Sequence, residues 1–191
     1  MVELAPIVVG VSGASGAPIA VRVLDALKAA GVPVALVVSE GARVLLREEC
    51  SLTPEELAGR ATTLYSDRDL GAPIASGSRP TRGMVIVPCS ANTAAQVALG
   101  LAGTLITRAA HVHLKERRRL VVVPRETPLP TPLLRNLTTL SEMGVVVLDA
   151  APPYYLHPRS VDDLTGYLAG KVLDQLGVAH QLYRGWKAGE T

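Results

Sequence analysis

A Gly- and Ser-rich turn near the N-terminus holds the first residues whose types and spacing could do chemistry. Its glycines are Gly10, Gly13 and Gly16, and Ser12 and Ser15 stand between them. Amides at the start of a helix favour anions, and small residues let a phosphate approach the backbone closely. The spacing is not the G-x-G-x-x-G of a dinucleotide site, so it fits one phosphate better than a pyrophosphate. A tight turn with a serine helix cap is the competing interpretation.

Four further polar turns follow predicted strands and bring hydroxyl, amide and charged groups to the same expected edge. They are SEGA from Ser39, CSANT from Cys89, RETP from Arg125 and APPYYLHPRS, which includes Tyr155. In open parallel sheets, ligands bind beyond the carboxyl ends of the strands. Five small or polar turns on one edge therefore favour a binding site over simple helix capping. Cys89 itself is interpreted as a small buried hydrophobic residue and not as a nucleophile.

Charged segments supply further candidates for contacts with an anion. Arg125 and Glu126 lie between two prolines, which favours a fixed ion pair that also reaches a ligand; a structural salt bridge is the alternative. In LKERRR at residues 114–119, the three arginines are interpreted as a solvated helix end, whereas Lys115 remains a candidate for binding phosphate. His111 and His113 are two residues apart and point away from each other on a helix, so no metal site is predicted.

Five apolar runs rich in β-branched residues are predicted as the strands that position these turns. They cover residues 6–11, 32–38, 83–88, 119–124 and 144–150. None alternates strictly between apolar and polar residues, which is typical of parallel strands that are covered on both faces. Helical patterns lie between the strands, at residues 17–30, 92–100, 104–114, 132–143 and 160–176, and Thr53 begins a capping box with a proline at the first helical position.

This alternation predicts an α/β fold with a doubly wound, mainly parallel sheet flanked by helices, in a Rossmann- or flavodoxin-like arrangement of three layers. No repeat or linker divides the chain, so residues 1–191 are expected to form a single domain. The tail from about residue 177 to 191 has weak periodicity and contains the only tryptophan, Trp186. We expect this tail to pack on a neighbouring subunit or to fray.

Composition narrows the classes of function. The chain has 191 residues, a net charge of +2 and only 3% aromatic residues, so neither a nucleic-acid partner nor a base-stacking surface is expected. Its two cysteines are too few for a disulfide framework and are expected to be reduced thiols. No apolar run approaches the roughly 18–20 residues that span a bilayer. We therefore expect a cytoplasmic protein with no membrane partner.

Six segments together resemble the UbiX/Pad1 flavin prenyltransferases. They are GVSGASGAPIAVRVL, IASGS, MVIVPCS, RAAHVHLKERRRLVVVPRETP, LRNLTTLSEMG and YYLHPRSVDDL. The resemblance runs from about residue 8 to residue 176, with the segments in the family's order and spacing. The LKERR…L…VPRETPL block is its most specific part. The wider group is the homo-oligomeric flavin-containing Cys decarboxylase fold.

The resemblance implies an enzyme that joins a dimethylallyl group from dimethylallyl phosphate to N5 and C6 of reduced FMN. Its product, prenylated FMN, would serve a UbiD-type decarboxylase as recipient. The family requires no metal. Members that resemble this chain form homo-oligomers, namely dodecamers, with sites at the junctions between subunits. The main alternative is an FMN-dependent cysteine decarboxylase of the same fold, which needs no second set of phosphate ligands. A non-catalytic FMN-binding protein is a third possibility.

The resemblance also assigns residues to three groups. Contacts with FMN are expected from Ser12, Gly13, Ala14, Ser39, Ser90, Ala91, Asn92, Thr93 and Arg125. The prenyl phosphate is expected to be held by Arg108, Lys115, Tyr155 and Lys171, together with Glu126. Catalytic roles fall to Ser15 beside the reacting edge of the flavin, to Glu49 as an acid near N5, and to Glu126 on the substrate side.

One turn and two single positions depart from the family's usual residues. The turn after the third predicted strand is SANT where SMKT is common, a form shared with the decarboxylases of this fold. Arg79 stands where an aromatic residue often helps to cover the prenyl group, which leaves the shape of the donor open. Lys171 replaces a common arginine, and a lysine can neutralise phosphate without a bidentate fork.

Overall fold

The computed structural model describes residues 4–185, which build one six-stranded sheet. The strands are β1 (Ile7–Val11), β2 (Val34–Val38), β3 (Thr63–Ser66), β4 (Gly83–Cys89), β5 (Leu120–Pro124) and β6 (Val146–Val147). The order across the sheet is β3-β2-β1-β4-β5-β6, and every neighbouring pair is parallel. The strand order reverses between β1 and β4, which is where open α/β sheets form a crevice for ligands.

Seven helices flank the sheet within the described residues. They are α1 (Ala17–Ala29), α2 (Glu40–Cys50), α3 (Pro54–Ala58), α4 (Ala91–Ala98), α5 (Leu105–Lys115), α6 (Thr131–Glu142) and α7 (Val161–Leu176). Two short 3₁₀ turns lie at Pro73–Ala75 and Tyr154–Leu156. The doubly wound α/β fold is confirmed, and the five predicted strands and the capping box at Thr53 are present.

Two elements were not predicted from the sequence. Strand β3 has only four residues and lies partly exposed at the edge of the sheet, so it lacks the apolar run of the buried strands. Helix α2 buries only Ala42 and Leu46, which leaves a weak apolar pattern. At the other edge, β6 pairs over two residues only, a much shorter strand than the seven-residue run in the sequence suggests.

The helices divide between the two faces of the sheet. One core contains apolar side chains of α1, α2 and α7 packed on residues such as Val9 and Val11 of β1. The other contains side chains of α4, α5 and α6 packed on Val8. Because successive side chains of a strand point to opposite faces, α5 and α7 are separated by the full thickness of the sheet.

The described part of the tail, residues 178–185, folds back on its own chain. His180 contacts Asp174 of α7, and Val178 and Leu182 join the core on that face. Contact of the tail with a neighbouring subunit stays a prediction, and Trp186 lies outside the described residues. None of the helices between residues 4 and 185 is long and apolar enough to cross a membrane.

Candidate functional site

A cleft of about 390 Å³ opens at the carboxyl edge of the sheet, between the N-termini of α2, α4 and α5. Five of the residues predicted to contact FMN line it, namely Gly13, Ser39, Ser90, Asn92 and Thr93. Six further residues line the cleft without having been predicted, namely Glu40, Gly41, Asp67, Gln96, Thr104 and Ile106. The structure thus brings together three strand-end turns that are far apart in the sequence.

Two glycines let the walls of this cleft meet. A Cβ on Gly13 would lie 3.1 Å from the Cα of Gly41, and a Cβ on Gly41 would lie 3.2 Å from the Cα of Gly13. Both contacts are with backbone, which cannot swing aside as a side chain can. The turn after β1 therefore touches the first turn of α2 directly, and neither position projects a side chain into the cleft.

Ser12 joins the turn after β1 to the turn after β4. Its hydroxyl donates to the Pro88 carbonyl at 3.0 Å and accepts the Ser90 amide at 2.8 Å. Its own amide donates to the same carbonyl at 3.2 Å. The residue is 1% exposed. Its side chain is therefore engaged within the protein, and a direct contact with FMN stays a prediction.

Serine caps leave amide donors at two helix N-termini that border the cleft. Ser39 accepts the Ala42 amide of α2, and Ser90 accepts the Thr93 amide of α4, each at 3.2 Å. A helix begins with four amides that have no partner within the helix, and each serine satisfies one of them. The remaining first-turn amides, with the positive end of each helix dipole, can bind an anion such as phosphate. Asn92 lies in the first turn of α4 and lines the same cleft.

Carboxylates occupy the N-termini of the other two helices near the cleft. Oε2 of Glu49 accepts the amides of Gly16 and Ala17 at the start of α1, both at 2.9 Å. Asp67 accepts the Ile106 amide of α5 at 2.9 Å. The first glycine-rich turn was expected to offer its amides to a phosphate; Glu49 occupies two of the amides at its end, those of Gly16 and Ala17, and the expectation for the rest of the turn stays a prediction. The serine-capped helices α2 and α4 are the better anion sites.

Arg125 lies beside the glycine-rich turn. Its Nε donates to the carbonyl of Ser15 at 3.2 Å. The predicted ion pair with Glu126 does not form among residues 4–185, and Oε1 of Glu126 accepts the Thr127 amide at 3.1 Å. Within the same residues the Ser15 hydroxyl has no hydrogen-bond partner. Ser15 and Arg125 are thus adjacent, as the assignment of both to the flavin site requires.

Two of the predicted phosphate ligands lie on α5, beside the loop that contains IASGS. Arg108 donates from Nε to the Ala75 carbonyl at 3.1 Å. Lys115 pairs with the neighbouring Glu116. Arg118 fixes the same loop by donating to the Gly77 carbonyl at 2.7 Å.

The other two predicted phosphate ligands lie on the opposite face of the sheet. Tyr155 packs edge-on against Tyr167 of α7, with ring centroids 6.5 Å apart. Nζ of Lys171 lies 3.4 Å from Oδ2 of Asp174. Within one chain the phosphate ligands therefore form two groups, one on α5 and one around α7.

The thiol nearest the cleft, that of Cys89, is buried and is not a nucleophile. Cys89 is 1% exposed, and burial raises its pKa to about 12. Burial also raises the pKa of Cys50, with the nearby Glu49 carboxylate adding to the effect. The interpretation of Cys89 as a buried hydrophobic residue is confirmed.

Some of the unpredicted residues of the cleft could have been inferred from the sequence, and others could not. Glu40 and Gly41 follow Ser39 directly. If Ser39 had been interpreted as a helix N-cap, the two residues could have been predicted to lie in the first turn of that helix, at the site. Asp67 follows β3, and its place at the site could not be inferred without that strand.

Comparisons with known proteins identify the family of this chain. The Flavoprotein family model matches residues 2–170. A flavin prenyltransferase UbiX from Thermoplasma acidophilum is 49% identical over 180 residues, covering 94% of this chain and 99% of the relative.

Two crystal structures superpose over nearly the whole chain. A dodecameric FMN-dependent UbiX-like decarboxylase from Escherichia coli O157:H7 has a TM-score of 0.93 at 41% identity, covering 96% of this chain and 100% of the other. AnUbiX (PadA1), solved in complex with FMN and dimethylallyl pyrophosphate, has a TM-score of 0.95 at 36% identity, covering 97% and 99%. The chain therefore belongs to the Flavoprotein family and, within it, to the UbiX flavin prenyltransferases.

Proposed function

We propose that this chain transfers a dimethylallyl group to reduced FMN, and that FMN binds in the cleft between α2 and α4. The observation that carries this proposal is the cleft itself, where first-turn amides of two helices meet two glycines in backbone contact. Such a surface suits a phosphate and a flat ring better than a bulky polar ligand. When bound, reduced FMN supplies N5 and C6 as the positions that accept the prenyl group.

The residues around the cleft would hold the flavin in distinct ways. The first-turn amides after Ser39 and Ser90 favour the phosphate, and the Asn92 side chain adds a polar contact. Ala14 and Ala91 are small and allow close approach. Arg125 is held by the Ser15 carbonyl beside the glycine-rich turn, and its charge can face an anion.

Ser15 and Glu49 flank the start of α1 from two sides. The Ser15 hydroxyl is available to orient the flavin, since it has no partner within residues 4–185. The Glu49 carboxylate is fixed by two amides, and it could accept a proton during ring closure.

Breaking the carbon–oxygen bond of the allylic phosphate creates a departing anion. Positioned cations stabilise that charge, and Arg108, Lys115 and Lys171 are the cations assigned to it. Because they lie on opposite faces of the sheet in one chain, a site that uses all three needs more than one copy. We therefore propose a homo-oligomer, a dodecamer by analogy with the relative described above, with Tyr155 and Glu126 at the same junctions.

The cysteine decarboxylase alternative explains the structure less well. It has no use for a second set of phosphate ligands, and this chain retains all of that set. A UbiD-type decarboxylase as recipient of the product, and a location in the cytoplasm, remain parts of the proposal.

The test is an anaerobic incubation of the purified protein with reduced FMN and either dimethylallyl phosphate or the pyrophosphate. Mass spectrometry should show flavin enlarged by one five-carbon unit, and comparison of the two donors identifies the leaving group. Unchanged flavin with both donors would overturn the proposal. Glu126→Gln should keep FMN bound and slow the transfer, whereas turnover equal to wild type would remove Glu126 from the substrate site.

A further inference from the structure

The segment after α7 folds back onto that helix, and a glycine of the helix leaves the space that the segment occupies. A Cβ on Gly170 would lie 2.6 Å from a ring carbon of Tyr183 and 2.8 Å from a ring carbon of His180, closer than packed atoms approach. At Gly166, one turn earlier, the nearest tail atom is the Leu182 carbonyl oxygen, at 3.6 Å. That distance is an ordinary contact. The tail therefore requires glycine at position 170 but not at position 166.

The docked tail holds a carboxylate that in turn holds Lys171. The Tyr183 hydroxyl donates to Oδ2 of Asp174 at 2.5 Å, and Nε2 of His180 lies 3.0 Å from Oδ1. Nζ of Lys171 lies 3.4 Å from the same Oδ2 and 5.8 Å from the centroid of the Tyr183 ring. Burial alone would lower the pKa of Lys171, but Tyr183 and Asp174 outweigh it and raise the pKa. The ammonium form is thus favoured where it lies.

His180 ties the bend of the tail to the same carboxylate. Its Nδ1 accepts the Leu182 amide at 3.1 Å, so the ring proton is on Nε2, which donates to Asp174. The His180 side chain is only 10% exposed. Both ring nitrogens therefore make hydrogen bonds: Nδ1 stabilises the bend of the tail, and Nε2 binds Asp174.

Tyr183 also reaches the surroundings of the second ligand on this face. Its ring packs against Tyr167 with centroids 5.0 Å apart, and Tyr167 packs edge-on against Tyr155 at 6.5 Å. One tail residue thus touches the neighbours of both Lys171 and Tyr155.

We propose that His180 and Tyr183, acting through Asp174, position Lys171 for the phosphate of the prenyl donor. This inference rests on the proposed function, in which Lys171 binds that phosphate. A lysine places a point charge on a flexible four-carbon stem and lacks the planar fork of arginine. If the Lys171 side chain is already restricted before the donor binds, less conformational entropy is lost on binding. Asp174 and Tyr183 contact Lys171, and His180 acts on it through Asp174. None of the three is assigned a contact with the substrate, so they are positioning residues.

The matched variants Gly170→Ala and Gly166→Ala test this role in the full-length protein. Both add one methyl group to α7 and gain the same helix propensity, but only Gly170→Ala displaces the tail. We expect Gly170→Ala to raise the KM for dimethylallyl phosphate by about fivefold or more with a smaller change in kcat, as expected for weakened positioning of a binding group. Gly166→Ala should match wild type. FMN affinity and oligomer size, measured for both variants, report whether the fold is intact.

A second pair of measurements separates positioning from general support of the fold. Tyr183→Phe keeps the ring and removes the bond to Asp174, so it should raise the same KM even if Gly170→Ala does not fold. In a Lys171→Ala background, either change should add nothing further. Additive losses there would overturn the inference, as would equal KM values for Gly170→Ala, Tyr183→Phe and wild type. If wild type itself leaves FMN unchanged with every donor, the proposed function fails first, and the role of Lys171 fails with it.

Discussion

Replacing Ser12 by alanine removes the clamp between the turns after β1 and β4. The Ser12 hydroxyl is buried and makes two hydrogen bonds, to the Pro88 carbonyl at 3.0 Å and from the Ser90 amide at 2.8 Å. Pro88 keeps a partner in the Ser12 amide at 3.2 Å, but the Ser90 amide loses its acceptor. The Ser12→Ala variant therefore leaves one donor without a partner beside the cleft.

The expected loss in the free energy of unfolding follows from those two hydrogen bonds. A buried polar group left unsatisfied costs about 1–3 kcal/mol, and a typical hydrogen bond contributes about 1 kcal/mol net. We expect Ser12→Ala to lower the free energy of unfolding by about 2–4 kcal/mol. For a chain of this size that corresponds to a fall in Tm of roughly 5–15 °C. FMN affinity should fall as well, because Ser90 caps the helix that borders the cleft.

Ser15→Ala is the matched control, three residues along the same turn. The Ser15 hydroxyl has no partner within residues 4–185, so its loss should change stability by less than about 0.5 kcal/mol while slowing prenyl transfer. Thermal melts at one fixed protein concentration measure stability, FMN titration measures affinity for FMN, and the anaerobic incubation followed by mass spectrometry measures prenyl transfer. Equal Tm values for the two variants would refute the reasoning, since only Ser12 has bonds to lose.

Three further perturbations test single contacts. Glu49→Gln should lower stability by about 1 kcal/mol in thermal melts, because a charged acceptor at the start of α1 becomes neutral; an unchanged Tm would contradict the cap on Gly16 and Ala17. Cys89 has a pKa of about 12, so at neutral pH it should resist iodoacetamide until the protein unfolds, and rapid labelling of the native state would count against its burial. Burial lowers the pKa of His113 from 6.5, so below about pH 6.5 the unfolded chain binds a proton that the folded state resists, and stability falls. Urea melts of wild type and His113→Leu should differ in that pH slope, and parallel slopes would contradict it.

The sheet could be predicted from the sequence because its central strands carry a signal that needs no distant partner. Residues 7–11, 34–38, 83–89 and 120–124 are buried along their whole length, and such strands are apolar throughout. The missed strand β3 pairs only with β2, at the edge of the sheet. Because it lies at the edge, β3 needs no continuous apolar run. Its strand conformation depends on pairing with β2, which the local sequence does not indicate.

The site could be predicted in place but not in detail. The topology brings polar strand ends to one edge, and turn composition alone indicated the turns that contain Ser39, Ser90 and Arg125. Ser39 and Ser90 line the cleft, and the contacts of all three with FMN, which the family resemblance implies, stay predictions. The partners of individual groups depend on contacts between distant residues. Glu49 reaches Gly16 across 33 positions, and nothing near either residue indicates that pairing.

The turn at residues 12–16 now has a different physical explanation from the one its composition first suggests. Most of its residues are tied to another segment. Gly13 is in backbone contact with α2, the Gly16 amide donates to the Glu49 carboxylate, and the Ser15 carbonyl accepts from the Arg125 side chain. Ser12 adds the link to the turn after β4. Glycine is needed where two backbones touch, and a buried hydroxyl is needed where a donor and an acceptor must both be met. The turn therefore organises the loops around the cleft, and in the proposed site the first-turn amides of α2 and α4 are the ones that would bind the phosphate.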